Sequence, residues 1–324
     1  MKCLVAVIGP TAVGKSRLAL RLAQDFDGEI VNSDSRQVYR YMDVGTAKPS
    51  SADRSLIPHH LIDIINPDES FSLAVYHKLA GEAIEDIQQR CKLPLLVGGS
   101  GLYVWSIIEG WKIPQVPPNA QLRHGLETKA KEEGVYALYQ ELEKADPVAA
   151  AEIMPTNLRR IIRALEICQA TGQPVSQLWQ KQALPFPVLI IGLTTRRDDL
   201  YHRIDSRVEE MVKQGLVDEV KDLMARGYSL DLPSMSGIGY RQIGMFLRGN
   251  LDLPTAVQKM KYESHRFARR QYAWFHLNDA RIHWFDVCDD VQEKVNNLVK
   301  AFLASLQDKR ISHDRDCLFC NPER

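Results

Sequence analysis

Residues 3–25 read CLVAVIGPTAVGKSRLALRLAQD, and this stretch decides the fold. Cys3 to Gly9 is a short, unbroken apolar run of the kind a strand buried on both faces shows. Lys15 to Asp25 then turns helical, with Leu18, Leu20, Leu22 and Ala23 marking the apolar side. Between them, Gly9-Pro10-Thr11-Ala12-Val13-Gly14-Lys15-Ser16 fits G-x-x-x-x-G-K-[ST], with a strand before it and a helix after it. Its glycines let the backbone curl so that N–H groups face phosphate oxygens, and the helix N-terminus adds partial positive charge. Lys15 supplies a full charge, and the Ser16 hydroxyl is placed to ligate Mg²⁺. Such a loop names a phosphate ligand, not a reaction.

Outward from the loop, Glu29 to Asn32 reads as a second strand, Ser72 to Arg90 as a helix, and Leu93 to Val97 as a third buried strand closed by Gly98-Gly99. This alternation predicts an α/β core with a parallel sheet of the phosphate-loop NTPase kind. Pro114, Pro117 and Pro118 break the pattern. From Asn119 to Gln182 the chain reads as helices only, stopping at Gly134, Asp146-Pro147, Met154-Pro155 and Gly172. Val188 to Leu193 restores a buried strand, a long helix is expected over Pro254 to Leu277, and Arg281 to Phe285 reads as a last strand. The expected organisation is a core of residues 1–115 and 187–307, an all-helical insertion of residues 116–186, and a loose polar tail of residues 308–324. Trp105, Trp111, Trp179 and Trp284 are expected in the core or at a junction.

Of 324 residues, 45% are apolar and 25% charged, an ordinary globular mixture able to bury a core. Lysine plus arginine equals aspartate plus glutamate, 41 against 41, so binding to nucleic acid has to come from local clusters rather than a general field. The cysteines at 3, 91, 168, 288, 317 and 320 form no disulfide framework, which points to a reducing, cytoplasmic setting. No apolar run is long enough for a membrane span, and the N-terminus lacks the layout of a signal peptide.

The chemistry is open at this level. An ATP-using enzyme pairs its loop with an apolar strand ending in a metal-binding aspartate, but LPLLV ends in two glycines. Asp34, after EIVNS, fits a metal ligand, a catalytic base or a helix cap.

NSDSRQVYRYMDVGTAKP at 32–49, together with the loop, resembles the bacterial tRNA dimethylallyltransferases. PHHLIDIINP at 58–67, GGSGLY at 98–103, RRIIRALEICQATG at 159–172, IGYRQI at 238–243 and RFARRQYAWF at 266–275 follow in the family's order, so the resemblance runs from about Leu4 to Phe285. It implies transfer of a dimethylallyl group from its diphosphate to the exocyclic N6 amine of the tRNA adenosine on the 3′ side of the anticodon. The substrates are then dimethylallyl diphosphate and the anticodon stem-loop, Mg²⁺ is the cofactor, and a monomer is expected. By the same resemblance Asp34 is the base, Thr11 lies near the bridging oxygen, and Arg207 helps hold the diphosphate with residues Gly9 to Ser16. Asp34, Ser35, Arg36, Gln37, Ser100 and Arg123 match positions that touch the RNA. Ser236 and Ser264-His265 depart from the family, which carries arginine and Thr-Arg there.

Two arginine clusters are candidates for RNA phosphates: Arg159, Arg160 and Arg163 opposite an apolar face, and Arg266, Arg269 and Arg270 near Tyr262, Tyr272 and Trp274. A solvated face accounts for the first cluster equally well on residue pattern alone, given Glu152 and Glu166 nearby. Cys317, Cys320 and His313 offer three ligands where structural zinc wants four, so they read as neutral tail residues. His59-His60 reads as a packing and loop-ordering pair. The rival readings are a kinase of a small metabolite, an adenylate dimethylallyltransferase, and an RNA-binding module with a vestigial loop. The first leaves the insertion and the 34–49 segment without a purpose, the second leaves the insertion and the second cluster without one, and the third leaves Lys15, Ser16 and Asp34 without one.

Overall fold

The computed structural model describes residues 2–287 and 290–319, with side chains to residue 307. Elements in chain order are β1 (Leu4–Ile8), α1 (Lys15–Asp25), β2 (Gly28–Asn32), α2 (Ser51–Leu56), β3 (His59–His60), α3 (Leu73–Gln89), β4 (Leu93–Val97) and α4 (Gly101–Ile108). Then come β5 (Trp111–Lys112), α5 (Ala120–Glu132), α6 (Val135–Ala145), α7 (Pro147–Glu152), α8 (Leu158–Thr171), α9 (Val175–Leu178) and β6 (Gln180–Lys181). The chain closes with β7 (Val188–Thr194), α10 (Arg197–Lys213), α11 (Leu216–Ala225), α12 (Tyr240–Leu247), α13 (Leu253–Tyr272), β8 (Ile282–Asp286) and α14 (Val291–Phe319). It divides into a unit of Met1–Ser72, Lys78–Val104 and Pro185–Arg324, and a unit of Leu73–His77 and Trp105–Leu184. The division therefore runs through α3 and α4 and falls at Trp105, ahead of the proline cluster that suggested residue 116.

The first unit holds a sheet ordered β3-β2-β4-β1-β7-β8, every pair parallel. β1, β2 and β4 are buried at every position, which for β1 and β4 follows from an unbroken apolar run covered by helices on both faces. Pro94 sits in a central strand but ahead of the β1 pairing, which begins at Leu95 opposite Val5. Glu29 is the one charge within these three strands. It is 2% exposed, and Arg90 and His60 pair with it. One core gathers Val5, Val7, Leu22, Leu95 and Ile191 with Val295 and Val299 of α14. A second joins Val38 and Met42 to the faces of α10, α11, α12 and α13 through Val208, Val220, Ile243 and Met260.

The second unit is built as its stop signals dictate. Asn119 and Asn157 cap α5 and α8 through Leu122 and Arg160 N–H groups at 3.0 and 3.3 Å. Asp146 caps α7 on Ala149 at 3.0 Å, and Gly172 ends α8 in the left-handed region with φ 68°. Leu138, Leu142, Ile161 and Ile162 form its core.

The structure corrects three expectations. The insertion is not wholly helical: β6 pairs antiparallel with β5, Trp111 opposite Lys181, a partnership no local period could announce. The long helix stops at Tyr272 rather than Leu277, because Ala273 and Trp274 N–H groups turn back to Arg270 and Gln271 carbonyls and direct Phe275 into the core. Trp179 is 48% exposed, whereas Trp105 is buried. Of the tail from residue 308, backbone to Phe319 continues α14. Cys320 and residues 321–324 lie outside the described residues, as do the side chains of His313 and Cys317.

Gly9 ends β1 with φ 139°, and a Cβ there would stand 2.3 Å from the Leu193 carbonyl oxygen of β7. Gly9→Ala is expected to cost on the order of 3 kcal/mol, seen as a lowered unfolding midpoint. A change within about 0.5 kcal/mol, the range of an ordinary surface substitution, would refute that close approach.

Candidate active site

The phosphate loop, the β2 and β4 ends, α10 and α13 close around an open pocket of about 640 Å³. Thr11, Lys15, Ser16, Asp34, Gln37 and Arg207 line it, all named by the sequence. Asn32, His59, Ile62, Phe267 and Gln271 line it as well, and the sequence did not name them as site residues. The loop's curl is set by two left-handed residues, Ala12 at φ 63° and Gly14 at φ 97°, the latter starting α1. Lys15 Nζ donates to the Pro10 carbonyl at 2.6 Å. Burial pulls the Lys15 ammonium down to about 7, Arg207 pushes the same way, and Asp34 opposes both. Arg207 is likewise pulled below its ordinary value by burial and restored in part by Asp34. Its Nη1 donates to Thr11 Oγ1 at 3.4 Å.

Asp34 stands two residues beyond β2, held by a small network. Its backbone N–H donates to Asn32 Oδ1 at 3.1 Å, and its Oδ1 accepts from the Arg36 N–H at 2.8 Å. Among the described residues its Oδ2 has no hydrogen-bond partner. Asn32, 4% exposed, also donates to the carbonyls of Leu61 at 3.0 Å and Asp34 at 3.1 Å. Ser35 N–H donates to Ser100 Oγ at 3.2 Å, so the hydroxyl expected to meet RNA joins the two loops. Gln37 Nε2 donates to the Thr46 and Ala47 carbonyls at 3.1 and 3.3 Å. That loop is held from the other side by Glu219, which accepts Asp43, Val44 and Gly45 N–H groups at 2.8, 2.6 and 3.0 Å and the Tyr240 hydroxyl at 2.6 Å. His59 is both wall and tie: it lines the pocket, and its Nδ1 lies 2.7 Å from the Ile57 carbonyl.

Several of the arginines also bond within the protein. Arg36 donates to the Pro233 and Ser234 carbonyls at 2.9 and 3.1 Å and to Ser236 Oγ at 3.2 Å. Ser236 is one of the departures noted above, and a serine is what lets it accept from Arg36. The other, His265, stacks on Tyr201 at 4.0 Å with its Nε2 2.8 Å from an Asp205 oxygen. Arg269 donates to the Tyr201 hydroxyl at 3.1 Å, and Arg266 to Glu263 at 3.3 Å. Arg270 is exposed, with no side-chain partner among the described residues. In the second unit Arg123 and Arg163 both pair with Glu166, 1% exposed, leaving Arg159 and Arg160 as the exposed members of that cluster.

No group of three or more His, Cys, Asp or Glu among the described residues forms a metal cage. Mg²⁺ does not need one, since it keeps several waters and binds largely through substrate phosphates. The Ser16 hydroxyl, exposed at the pocket and free of hydrogen bonds among the described residues, fits such a site.

The model of the IPP transferase family matches residues 37–278. The chain belongs to that family. It is 51% identical to the tRNA dimethylallyltransferase of Roseiflexus sp. (strain RS-1), covering 93% of this chain and 98% of that one. With the Roseiflexus castenholzii tRNA dimethylallyltransferase it shares 54% identity over 84% of this chain and 89% of that one. The full-length tRNA isopentenylpyrophosphate transferase of Bacillus halodurans superposes with a TM-score of 0.71 at 42% identity, covering 97% and 100% of the two chains. A eukaryotic dimethylallyltransferase acting on tRNA superposes at 0.82 with 28% identity, covering 94% of this chain and 80% of that one. Family membership displaces the small-metabolite kinase and the vestigial RNA-binding module.

Two titrations test the electrostatics. With Lys15 near 7, binding a trianionic allylic diphosphate restores its ordinary affinity for a proton. Calorimetry in buffers of differing ionisation enthalpy should record uptake of about one proton at pH 8.5, and affinity should fall as pH rises above 8. Uptake near zero would mean that Lys15 is charged throughout. Burial alone would raise Glu166, but Arg123, the Asn119 N–H and Arg163 together hold it at about 2 against an ordinary 4.5. A depressed carboxylate stabilises the fold above its unfolded pKa, and that stability is lost as pH falls from 4.5 toward 2. Glu166→Gln should remove on the order of 2 kcal/mol at pH 7 and little at pH 2; equal loss at both would exclude the ion cluster as its source.

Proposed function

We infer that this protein transfers the dimethylallyl group from dimethylallyl diphosphate to the N6 amine of the adenosine 3′-adjacent to the anticodon of tRNA, releasing diphosphate. The observation that carries this reading is one pocket lined by two half-buried cations, Lys15 and Arg207, and one carboxylate, Asp34. The family and its tRNA-modifying relatives name the substrates.

The acceptor amine is a poor nucleophile, because its lone pair is delocalised into the adenine ring. As the new carbon–nitrogen bond forms, the allylic carbon–oxygen bond breaks and an N6 proton passes to Asp34. A carboxylate placed to take that proton lowers the barrier. Lys15, Arg207 and the Thr11 hydroxyl meet the charge that grows on the leaving diphosphate. The Ser16 hydroxyl would hold a Mg²⁺ ion together with the substrate, and the ion would supply further neutralisation of that charge. The adenine has to leave its stack to reach Asp34. Ile30, Ile62 and Val97 give the same pocket an apolar wall suited to the five-carbon chain. Arg159, Arg160, Arg266, Arg269 and Arg270 are exposed cations for RNA phosphates, and the anticodon stem-loop is the part bound. We assign the activity to a monomer in the cytoplasm. No helix among the described residues is long and apolar enough to cross a membrane.

Radiolabelled dimethylallyl diphosphate, Mg²⁺ and unmodified tRNA should give labelled tRNA, with AMP and ATP left unlabelled. Asp34→Asn should lower kcat by on the order of 10²- to 10⁴-fold while both substrates bind as before. Label in AMP would move the protein to free-nucleotide chemistry, and normal turnover by Asp34→Asn would remove Asp34 as the base.

A further inference from the structure

α13 turns Phe267 and Ala268 inward, and Phe275 just beyond its end is buried as well. On the same side stands an amide, Gln271, only 4% exposed. A buried amide is costly unless its polar atoms are satisfied, and its partners here are both main-chain atoms of site loops. Its Oε1 accepts the Thr11 N–H at 2.8 Å, and its Nε2 donates to the Gly99 carbonyl at 2.9 Å. The Thr11 N–H, which the motif would have aimed at a phosphate, is thereby committed to a side chain. The approach leaves no slack: a Cβ on Gly99 would stand 2.1 Å from Gln271 Nε2.

These two bonds close a continuous chain of contacts. On the donor side, Thr11 receives Arg207. On the acceptor side, Gly99 leads into Ser100, whose N–H donates to the Ser33 carbonyl at 3.3 Å and whose hydroxyl accepts from Ser35, next to Asp34. Resting on the proposed transfer reaction, we propose that Gln271 is a positioning residue. It sets the loop that holds the leaving diphosphate against the turn that holds the base, and so fixes the distance across which the allyl group moves. Bond transfer tolerates little error in that distance, and a displacement of about 1 Å costs on the order of 10²-fold. Gln271 touches no reacting atom in this role. It keeps Thr11 and Asp34 in register through the backbone.

The test is a double-mutant cycle on kcat, at saturating tRNA and dimethylallyl diphosphate, with Gln271→Ala, Gly99→Ala and the pair. Each single variant should lose kcat by about 10- to 100-fold with KM for the diphosphate within about threefold. Gly99→Ala should add little in the Gln271→Ala background, because the amide it collides with is gone. Additive losses, or a Gln271→Ala kcat close to that of the unaltered protein, would overturn the proposal. Gln271→Glu, equal in shape, decides the matter if Gln271→Ala does not fold. Its neutral acid can make both bonds and its carboxylate only one, so its kcat relative to the unaltered protein should rise as pH falls from 8 to 6. A ratio that stays level would reject the role. An unaltered protein that fails to label tRNA would strike down the functional reading, and this inference with it.

Discussion

Two half-buried positive charges beside one carboxylate are the condition on which the site rests. Lys15 and Arg207 share one pocket with Asp34, and burial works against the charge of both cations. The fold supports this arrangement because the fully buried central strands fix the ends of β1 and β2, while the second core holds α10 and its arginine in place. A polyanion relieves the cost, so recognition of diphosphate follows from the charge balance as much as from shape. A leaving group that gains charge in the transition state is then favoured over the ground state, which is what a transferase needs.

That balance needs backbones brought closer than side chains permit. Gly9 meets β7, Gly98 meets the Ser33 carbonyl, and Gly99 meets Gln271, each at a distance a Cβ would forbid. The site is thus made of loops whose geometry is fixed by contacts distant in sequence, and its few polar side chains, Asn32, Gln37 and Gln271, act mostly on main-chain atoms.

What was legible in the sequence was what is local. The loop motif, the unbroken apolar strands, and the helix stops at Gly134, Asp146-Pro147 and Gly172 each depend on a few neighbouring residues, and the structure has them where expected. Asp34 was noticed from its place after a strand, but its role came from resemblance, as did the choice of Arg207. Gln271 was hidden because a glutamine after two arginines reads as a side chain facing water, and only the fold turns that position inward. The ion pairs of Arg123 and Arg163 were hidden for the converse reason. Glu166 looked like one more surface charge, whereas its burial makes it the centre of an ion cluster. The two-residue strands β3, β5 and β6 carry no period long enough to detect.

The carboxylate of Glu219 gathers three consecutive N–H groups of a segment that belongs to no helix or strand. Amides held this way exchange with solvent only when the anchor lets go, so Asp43, Val44 and Gly45 should be protected to the same degree as the α11 helix that carries Glu219. Irregular backbone and slow opening then coexist in one segment. The wall of the pocket that includes Ala47 and Pro49 thus follows a segment tied down by Glu219 on one side and Gln37 on the other.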